Sequence, residues 1–425
     1  MIKSRAVGTA PATGRAVPGA GAKLVSAMGA GARPVSAMAV GALPASAMTA
    51  GARLASAMAV ALAAFAAPGS AMAQGAAGVP RGLPLPPPSA VGQALVQVAG
   101  WQPLASGTNA ELRGLSVVSE TVAWASGAKG TVLRTLDGVK WTPVQVPDAD
   151  KLDFRDIHAV DANTAIVMSA GPGAASRIYR TTDGGASWKL QIINPDAEGF
   201  WDAIAFWDAQ HGIMFGDPVK GAFQVLLTAD GGASWQPVSD PKGLASLPNE
   251  GAFAASGTCL TVAGSADAWF STGGGENARV FHSPDRGRSW RASAVPMPAG
   301  APARGIFSVG FRDGKVGLAA GGDYKETSMA TVNGARTEDG GATWTAAPIL
   351  PTGYMSVVVP VRGAADAFVA AGLAGSGYSN DGGRSWSILD RTPMNTVGFA
   401  SPTVGWAVGP KGLVMKYAGP ILGKQ

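Results

Sequence analysis

The chain has 425 residues, with 33 Lys or Arg against 28 Asp or Glu, so its formal net charge at pH 7 is +5. Residues 1–73 hold six of the basic residues and no acidic ones, which leaves 27 basic and 28 acidic residues, a net charge of −1, in the remainder. The basic balance therefore belongs to the N-terminal segment and excludes any charge-based argument for a nucleic-acid partner. The single cysteine, Cys259, excludes an intramolecular disulfide.

Residues 1–73 have the pattern of a low-complexity segment that ends in an export signal. A ten-residue unit, first read as GAKLVSAMGA, recurs four times between positions 21 and 60, and such an Ala/Gly/Ser tract cannot bury enough apolar surface to fold. The apolar run 54–67 is too short to span a bilayer and precedes Ala71-Met72-Ala73, the A-x-A pattern of a cleavage site. We therefore expect export to the periplasm or the extracellular space, with no transmembrane anchor after cleavage at Gln74.

A natural disordered extension is the alternative for this segment, and Met1, Met38 and Met48 all remain open as the start of translation. Residues 74–97 include the run RGLPLPPPSA and are expected to form an extended Pro-rich linker. The folded domain is expected over residues 98–420.

One motif recurs six times in the rest of the chain. Its common form is Ser/Thr-x-Asp-x-Gly-x-Ser/Thr-Trp, as in TTDGGASW at 181–188, and a shortened first copy reads TLDGVKW at 135–141. The Asp can accept hydrogen bonds from turn amides, the Gly adopts a positive φ without strain, and the Trp buries its ring in the next strand. We expect a structural role in tight turns for the motif aspartates Asp137, Asp183, Asp230, Asp285, Asp339 and Asp381.

The spacing of the motif predicts a β-propeller. Successive motif aspartates are 46, 47, 55, 54 and 42 residues apart, a period typical of four-stranded blades. Seven segments can be aligned as the innermost strands of the blades: 112–117, 154–160, 200–206, 252–257, 303–309, 353–358 and 394–399. Only six are followed by the motif, so the segment 98–105 around Trp101 is expected to supply the outer strand of the last blade. We predict an all-β, seven-bladed β-propeller in a single domain, and a monomer.

Two families share parts of this pattern. The motif resembles the Asp-box, or bacterial neuraminidase repeat, of sialidases and sortilin-type receptors. The longer stretches 112–141, beginning LRGLSVVS, and 397–417, VGFASPTVGWAVGPKGLVMKY, resemble the photosystem II assembly-factor propellers and their bacterial relatives, and the likeness extends over roughly 98–417. The second resemblance implies a non-enzymatic scaffold that binds a client protein, without identifying the client, because one fold hosts many functions.

The strand starts and the loops between second and third strands are expected to share one face, opposite the motif turns. The alignment places three arginines, three aromatic residues and an asparagine around the channel mouth there: Arg113, Arg155, Trp201, Phe253, Arg304, Tyr354 and Asn395. Guanidinium groups bind carboxylates bidentately and aromatic rings offer stacking area, so this ring is expected to bind a protein or peptide. The assembly-factor family associates an arginine-rich patch with client binding, and Arg113 and Arg155 match its strand start. Solvated arginines without a ligand are the alternative.

A glycoside hydrolase of sialidase type is the alternative function. Asp217, Glu250, Asp323 and Tyr324 are expected near the same face and would supply its acid, base or nucleophile. The sialidase pattern is incomplete, because no Arg-Ile-Pro segment precedes the first blade and the arginines occur in a different order. The three histidines, His158, His211 and His282, are scattered, and Cys259 lies in an uncharged run that favours a buried, inert thiol. We expect neither a metal nor a cofactor.

Overall fold

The structure is a computed structural model that describes residues 100–238, 242–329 and 331–424. These residues form seven four-stranded antiparallel sheets, and the first strand of each sheet packs against the first strands of both neighbouring sheets, around a central channel. The predicted all-β, seven-bladed propeller is therefore confirmed. The predicted N-terminal segment 1–73, its apolar run 54–67 and the linker 74–97 lie outside the described residues.

The chain enters the propeller with β1 (Trp101–Leu104), which belongs to the last blade, and then builds the blades in order. From the channel outwards, the first blade consists of β2 (Leu112–Val117), β3 (Ala123–Gly127), β4 (Thr131–Thr135) and β5 (Trp141–Pro143). The second consists of β6 (Phe154–Ala159), β7 (Ala165–Ser169), β8 (Arg177–Thr181) and β9 (Lys189–Ile193). The third consists of β10 (Trp201–Phe206), β11 (Gly212–Val219), β12 (Ala222–Thr228) and β13 (Gln236–Pro237).

The fourth blade consists of β14 (Leu260–Ala263), β15 (Asp267–Ser271), β16 (Arg279–Ser283) and β17 (Arg291–Ala294). The fifth consists of β18 (Arg304–Phe311), β19 (Gly317–Asp323), β20 (Gly334–Thr337) and β21 (Thr345–Ala346). The sixth consists of β22 (Val357–Pro360), β23 (Phe368–Gly372), β24 (Gly375–Ser379) and β25 (Ser387–Asp390). The seventh consists of β26 (Thr396–Ser401), β27 (Val404–Val408), β28 (Val414–Tyr417) and β1. Short 3-10 helices occur at Gly173–Ala175 and Pro410–Gly412, and the described part of the chain has no helix long and apolar enough to cross a membrane.

The N-terminal strand closes the last blade. β1 runs antiparallel to β28, with Trp101 opposite Tyr417 and Leu104 opposite Val414. The Trp101 Nε1–H donates to Ser376 Oγ of the sixth blade at 3.0 Å. The predicted contribution of the segment around Trp101 to the last blade is thus confirmed, and this pairing leaves no unpaired edge on β28.

The motif aspartates lie in the turns between the third and fourth strands of the blades. In the second copy, Asp183 Oδ1 accepts from the Ser187 N–H at 2.9 Å and the Thr181 hydroxyl at 2.8 Å, and Asp183 Oδ2 accepts from the Ser187 hydroxyl. Hydrogen bonds from the Ser187 hydroxyl and then its amide lower the pKa of Asp183 to about 2. The same turn bonding recurs at Asp230, Asp285, Asp339 and Asp381. In the shortened first copy, Asp137 Oδ1 accepts from the Val139 and Lys140 amides instead.

Each motif tryptophan packs at the interface between its own blade and the preceding one. Trp235, for example, packs with Ile166 and Met168 of the second blade. The tryptophans that do this are Trp141, Trp188, Trp235, Trp290, Trp344 and Trp386. Trp101 lies at the seventh interface, between the sixth and seventh blades, so every interface of the ring holds one of these large rings.

The fourth blade departs from the predicted pattern. The segment 252–257 was predicted as its innermost strand, and this is wrong, because the first strand is β14 and residues 252–258 form a loop, here called the crossing loop. Gly257 has a φ of 74°, which interrupts an extended strand. The Ser256 hydroxyl donates to the Ser356 carbonyl in the sixth blade, and the Thr258 hydroxyl donates to Ser308 Oγ in the fifth, each at 2.7 Å. The crossing loop therefore extends into the channel and lines a cavity at each mouth.

Candidate functional site

A cavity of about 430 Å³, here called the mouth cavity, lies where the innermost strands begin. Its walls combine charged groups with aromatic rings, and the residues that line it are Glu111, Arg113, Arg155, Phe200, Asp202, Asp217, Ala252, Phe253, Ala254, Ala255, Phe307, Tyr324, Tyr354, Leu373 and Asn395. The structure brings together here seven of the residues predicted for this face: Arg113, Arg155, Phe253, Tyr354, Asn395, Asp217 and Tyr324. The volume and the mixture of apolar walls with a few polar groups are typical of a ligand-binding site.

A β-bulge at the start of the innermost strands directs particular side chains into the mouth cavity. In the first three blades the pairing register shifts at Arg113, Arg155 and Asp202, each of which lies between two paired residues. In the fifth blade the equivalent shift falls at Phe307. Because a bulge turns one side chain away from the regular alternation, all four of these residues line the mouth cavity while their neighbours in the strands are buried.

The crossing loop holds both cavity arginines. Arg113 Nη1 donates to the Ala255 carbonyl at 3.3 Å, and its Nη2 lies 3.2 Å from Glu111 Oε1. Arg155 Nη1 donates to the Ala254 carbonyl at 2.8 Å, and its Nε donates to Asp153 Oδ2 at 2.6 Å. Burial, followed by the neighbouring charge of Arg155, lowers the pKa of Arg113 from its ordinary value. Two fixed guanidinium groups of like charge therefore share one cavity, an arrangement that favours an anionic ligand between them.

Four aromatic rings form another part of the wall. Phe253 stacks on Phe307 with centroids 3.9 Å apart, and the rings of Tyr324 and Tyr354 meet Phe307 edge to face. Burial raises the pKa of Tyr354 above its ordinary value, while the charges of Arg113 and Arg155 oppose that rise. Tyr354 is thus a neutral hydroxyl close to both guanidinium groups, whereas Tyr324 lies exposed at the rim.

Besides Glu111, which pairs with Arg113, two acidic side chains line the same cavity. Asp202 is 1% exposed, and neither of its carboxylate oxygens has a hydrogen bond within the described residues, although the amides of Asp217 and Ala254 face it. Burial raises the pKa of Asp202 well above its ordinary value, and the nearby Asp217 adds to the shift. Asp217 Oδ1 accepts from the Ala252 N–H at 2.7 Å, and burial nevertheless raises the pKa of Asp217 to about 6.

Trp201 does not belong to the site, contrary to its predicted place in the binding ring. It is fully buried between the second and third blades, and its Nε1–H donates to Gln224 Oε1 at 3.2 Å. The prediction was off by one residue, because the bulge follows Trp201 and it is Asp202 that occupies the register position of Arg113 and Arg155.

Arg304 and Asp323 also lie outside the mouth cavity lining, and they pair with each other. Arg304 Nε is 2.9 Å from Asp323 Oδ2, while Asp323 Oδ1 accepts from the Lys325 N–H at 2.9 Å. The strand β18 begins three residues before its bulge, so Phe307 rather than Arg304 faces the cavity. The predicted binding role of Arg304 and the predicted acid–base role of Asp323 are therefore not supported at this cavity.

Glu250 is buried in an ion pair instead of lining the mouth cavity. Its carboxylate binds both Nε and Nη2 of Arg279, and it also accepts from the Thr272 hydroxyl at 2.6 Å and the Leu247 N–H at 2.8 Å. These bonds use both carboxylate oxygens. The arrangement fits a structural role in the fourth blade, and the predicted acid–base role of Glu250 is not supported at this cavity.

The remaining titratable groups do not assemble a metal site. No group of three or more His, Cys, Asp and Glu side chains among the described residues is arranged to hold an ion. His158 stacks on Phe206 at the opposite mouth, and burial lowers its pKa to about 4. Cys259 is buried, and burial raises the pKa of its thiol well above the ordinary value, so a reactive thiolate is disfavoured there.

Sequence reasoning missed Asp202, Glu111, Phe200, Phe307 and Leu373 as cavity residues. A signal for Asp202 was present, because Leu112-Arg113, Phe154-Arg155 and Trp201-Asp202 each pair a large apolar residue with a charged one. Aligning these pairs places Asp202 beside the arginines. No comparable signal marks Glu111, which directly precedes β2, or Leu373, which lies in the turn between β23 and β24.

Comparison with solved structures identifies proteins of similar fold. YCF48 bound to a D1 peptide matches with a TM-score of 0.56 at 18% identity, covering 76% of this chain and 97% of that one. YCF48 from Cyanidioschyzon merolae matches with a TM-score of 0.53 at 16% identity, covering 75% of this chain and 99% of that one. No protein-family model and no curated protein sequence matches the chain.

An ancestral GH74 enzyme also matches, with a TM-score of 0.53 at 15% identity over 74% of this chain. The match covers 46% of that enzyme, so this chain spans about half its length. At identities this low, the likenesses concern the fold alone. They agree with the propeller architecture and leave the activity to be argued from the mouth cavity.

Proposed function

We propose that this protein is a non-enzymatic scaffold that binds a peptide segment of a partner protein in the mouth cavity. The observation that carries the proposal is the pair of guanidinium groups, Arg113 and Arg155, held by the crossing loop in one cavity beside a wall of aromatic rings. The structure of YCF48 with a D1 peptide supports the proposal, because a protein of similar fold holds a peptide.

Binding would combine two kinds of contact. The two arginines present N–H donors to a carboxylate, either an acidic side chain or a C-terminal carboxylate. Phe253, Phe307 and Tyr324 offer ring surface to neighbouring apolar or aromatic side chains of the peptide. Preorganisation by the Ala254 and Ala255 carbonyls lowers the entropic cost of ordering the arginines on binding.

The direct test is a panel of fluorescent peptides, each with a free or an amidated C-terminus, titrated against the wild type and arginine variants. A charge-assisted hydrogen bond contributes about 1.5–3 kcal/mol, so Arg113→Ala and Arg155→Ala should each weaken binding roughly tenfold to a hundredfold. Arg291→Ala, an exposed position on β17, is the matched control and should bind as the wild type does. Equal affinities for all three variants, with matched melting temperatures, would refute the proposal.

A glycoside hydrolase is the second candidate. Two carboxyl groups with raised pKa values, Asp202 and Asp217, share the mouth cavity, and one protein of similar fold is a GH74 enzyme. Such pairs serve as acid and base in glycosidases. A screen against aryl glycosides decides between the candidates: turnover that is lost in both Asp202→Asn and Asp217→Asn would favour the enzyme.

We further propose that the protein is exported, on the strength of the apolar run 54–67 and the Ala71-Met72-Ala73 pattern. N-terminal sequencing of the protein from its native source should give Gln74 as the first residue. A chain that begins upstream of residue 54 would contradict export. The monomeric state remains a prediction, which sedimentation equilibrium can check.

A further inference from the structure

Asp202 is an acidic side chain with unused hydrogen-bonding capacity inside the mouth cavity. The bulge of β10 turns it towards the same space as Arg113 and Arg155, whose register position it shares. It is 1% exposed, and both of its oxygens are buried without a hydrogen bond among the residues the structure describes. A buried carboxylate in this state opposes folding, and such a cost is expected where a ligand supplies the missing donors.

Other buried acids in the protein show what a structural role looks like. Asp156 accepts the Ile157 and Ile204 amides on its two oxygens, each at 2.8 Å. Glu250 binds Arg279 and Thr272. The Asp217 and Ala254 amides face Asp202 without forming a hydrogen bond of this geometry, and Arg155, whose charge acts on Asp202, directs its bonds to Asp153 and the Ala254 carbonyl. Asp202 therefore lacks the close hydrogen-bond partners that Asp156 and Glu250 have on both oxygens.

Asp217 lies near Asp202 in the cavity wall, and only one of its two carboxylate oxygens accepts a hydrogen bond. Its Oδ1 accepts the Ala252 amide, and no bond to its Oδ2 is formed within the described part of the chain. Two carboxylates with three oxygens free of hydrogen bonds match a group that carries several donors and a positive charge. An ammonium has three N–H donors and a guanidinium has five.

We propose that Asp202 and Asp217 form a cation subsite of the mouth cavity, next to the arginine subsite, for a Lys or Arg side chain of the bound peptide. This inference rests on the proposed peptide-binding function and specifies the peptide. Both subsites lie within one cavity of about 430 Å³. The preferred segment therefore carries a basic residue within a few positions of its carboxylate, and a C-terminal Lys or Arg is the simplest case.

The test compares two acetylated pentapeptides that end in Lys or in norleucine, each with a free C-terminal carboxylate. Norleucine keeps the length of the side chain and removes its charge. The wild type should bind the Lys peptide at least about tenfold more tightly, as expected for a charge-assisted bond. Asp202→Asn should reduce that preference, and the double variant Asp202→Asn/Asp217→Asn should lower it to about twofold or less. Glu120→Gln, at an exposed turn, should keep the full preference.

Equal binding of the two peptides by the wild type would overturn the cation subsite while leaving the peptide-binding proposal intact. A preference that survives in the double variant would also overturn it. Failure of the wild type to bind any peptide of the panel would refute the proposed function itself. A measurement without variants is competition: n-butylammonium should displace the Lys peptide at lower concentration than n-butanol, and equal potency of the two would contradict the subsite.

Discussion

Asp217 shows how a single residue of the mouth cavity opposes folding. Burial raises its pKa to about 6, against an ordinary value of 3.8. A difference of this size corresponds to about 3 kcal/mol, because one pH unit is worth about 1.36 kcal/mol. The raised pKa means that the folded state holds the proton more tightly than the unfolded state, so stability falls as pH rises from about 4 to about 6 and the loss then stays constant.

The variant Asp217→Asn should remove this penalty. The amide oxygen of the new Asn can still accept a hydrogen bond from the Ala252 N–H. Above pH 6 we therefore expect the free energy of unfolding of the variant to exceed that of the wild type by up to about 3 kcal/mol. The difference should shrink as pH falls and vanish below about pH 4. Urea unfolding of both proteins from pH 3.5 to 8 measures it. A difference that does not change with pH would contradict the assignment.

At the scale of the strand, glycines allow the second strand to approach the first beside the mouth cavity. A Cβ on Gly127 would clash with the Glu111 carbonyl oxygen, and the same holds for Gly216, Gly321 and Gly372 against the carbonyls of Phe200, Gly305 and Tyr354. Three of these glycines, Gly127, Gly216 and Gly321, pair with the residue directly before a bulge. The bulged residues Arg113, Asp202 and Phe307 then face the cavity.

Gly127→Ala should lower the free energy of unfolding by about 1–3 kcal/mol, because the added methyl group must push two paired strands apart. Gly314→Ala is a suitable control, since its Cβ would meet Asp267 Oδ2 at an ordinary 3.6 Å. Thermal or urea unfolding separates the two variants. A Gly127→Ala protein as stable as the Gly314→Ala protein would show that the strands are not held as closely as described.

Most of the element pattern could be predicted from the sequence, because the motif turns repeat and the tryptophans mark each blade. The errors fall where backbone geometry interrupts the repeat. In the third blade the bulge follows Trp201, so the cavity residue is Asp202, one position after the predicted one. In the fifth blade β18 begins three residues before its bulge, so the cavity residue is Phe307 and not the predicted Arg304. In the fourth blade, the segment predicted as a strand contains Gly257 with a positive φ, and it forms the crossing loop instead. Bulges and crossing loops depend on contacts between blades, which no single repeat encodes.

At the scale of the whole molecule, Trp101 links the two ends of the propeller. It packs with Val357, Val369 and Met415 at the interface of the sixth and seventh blades, and it is only 6% exposed. Trp101→Ala should cost about 3–5 kcal/mol of unfolding free energy, as expected for a buried tryptophan. Trp386→Ala, at a half-buried ring, should cost less. Urea unfolding would contradict this order if Trp101→Ala were the milder change.

The central claim is that the mouth cavity binds a peptide, and fluorine NMR of protein labelled with 3-fluorotyrosine tests it most directly. The chain has five tyrosines, of which Tyr324 and Tyr354 line the cavity, while Tyr179, Tyr378 and Tyr417 lie in blade strands away from it. Titration with the tightest peptide of the panel should shift the resonances of Tyr324 and Tyr354 and leave the other three unchanged. Shifts confined to Tyr179, Tyr378 or Tyr417, or no shift at saturation, would contradict the account.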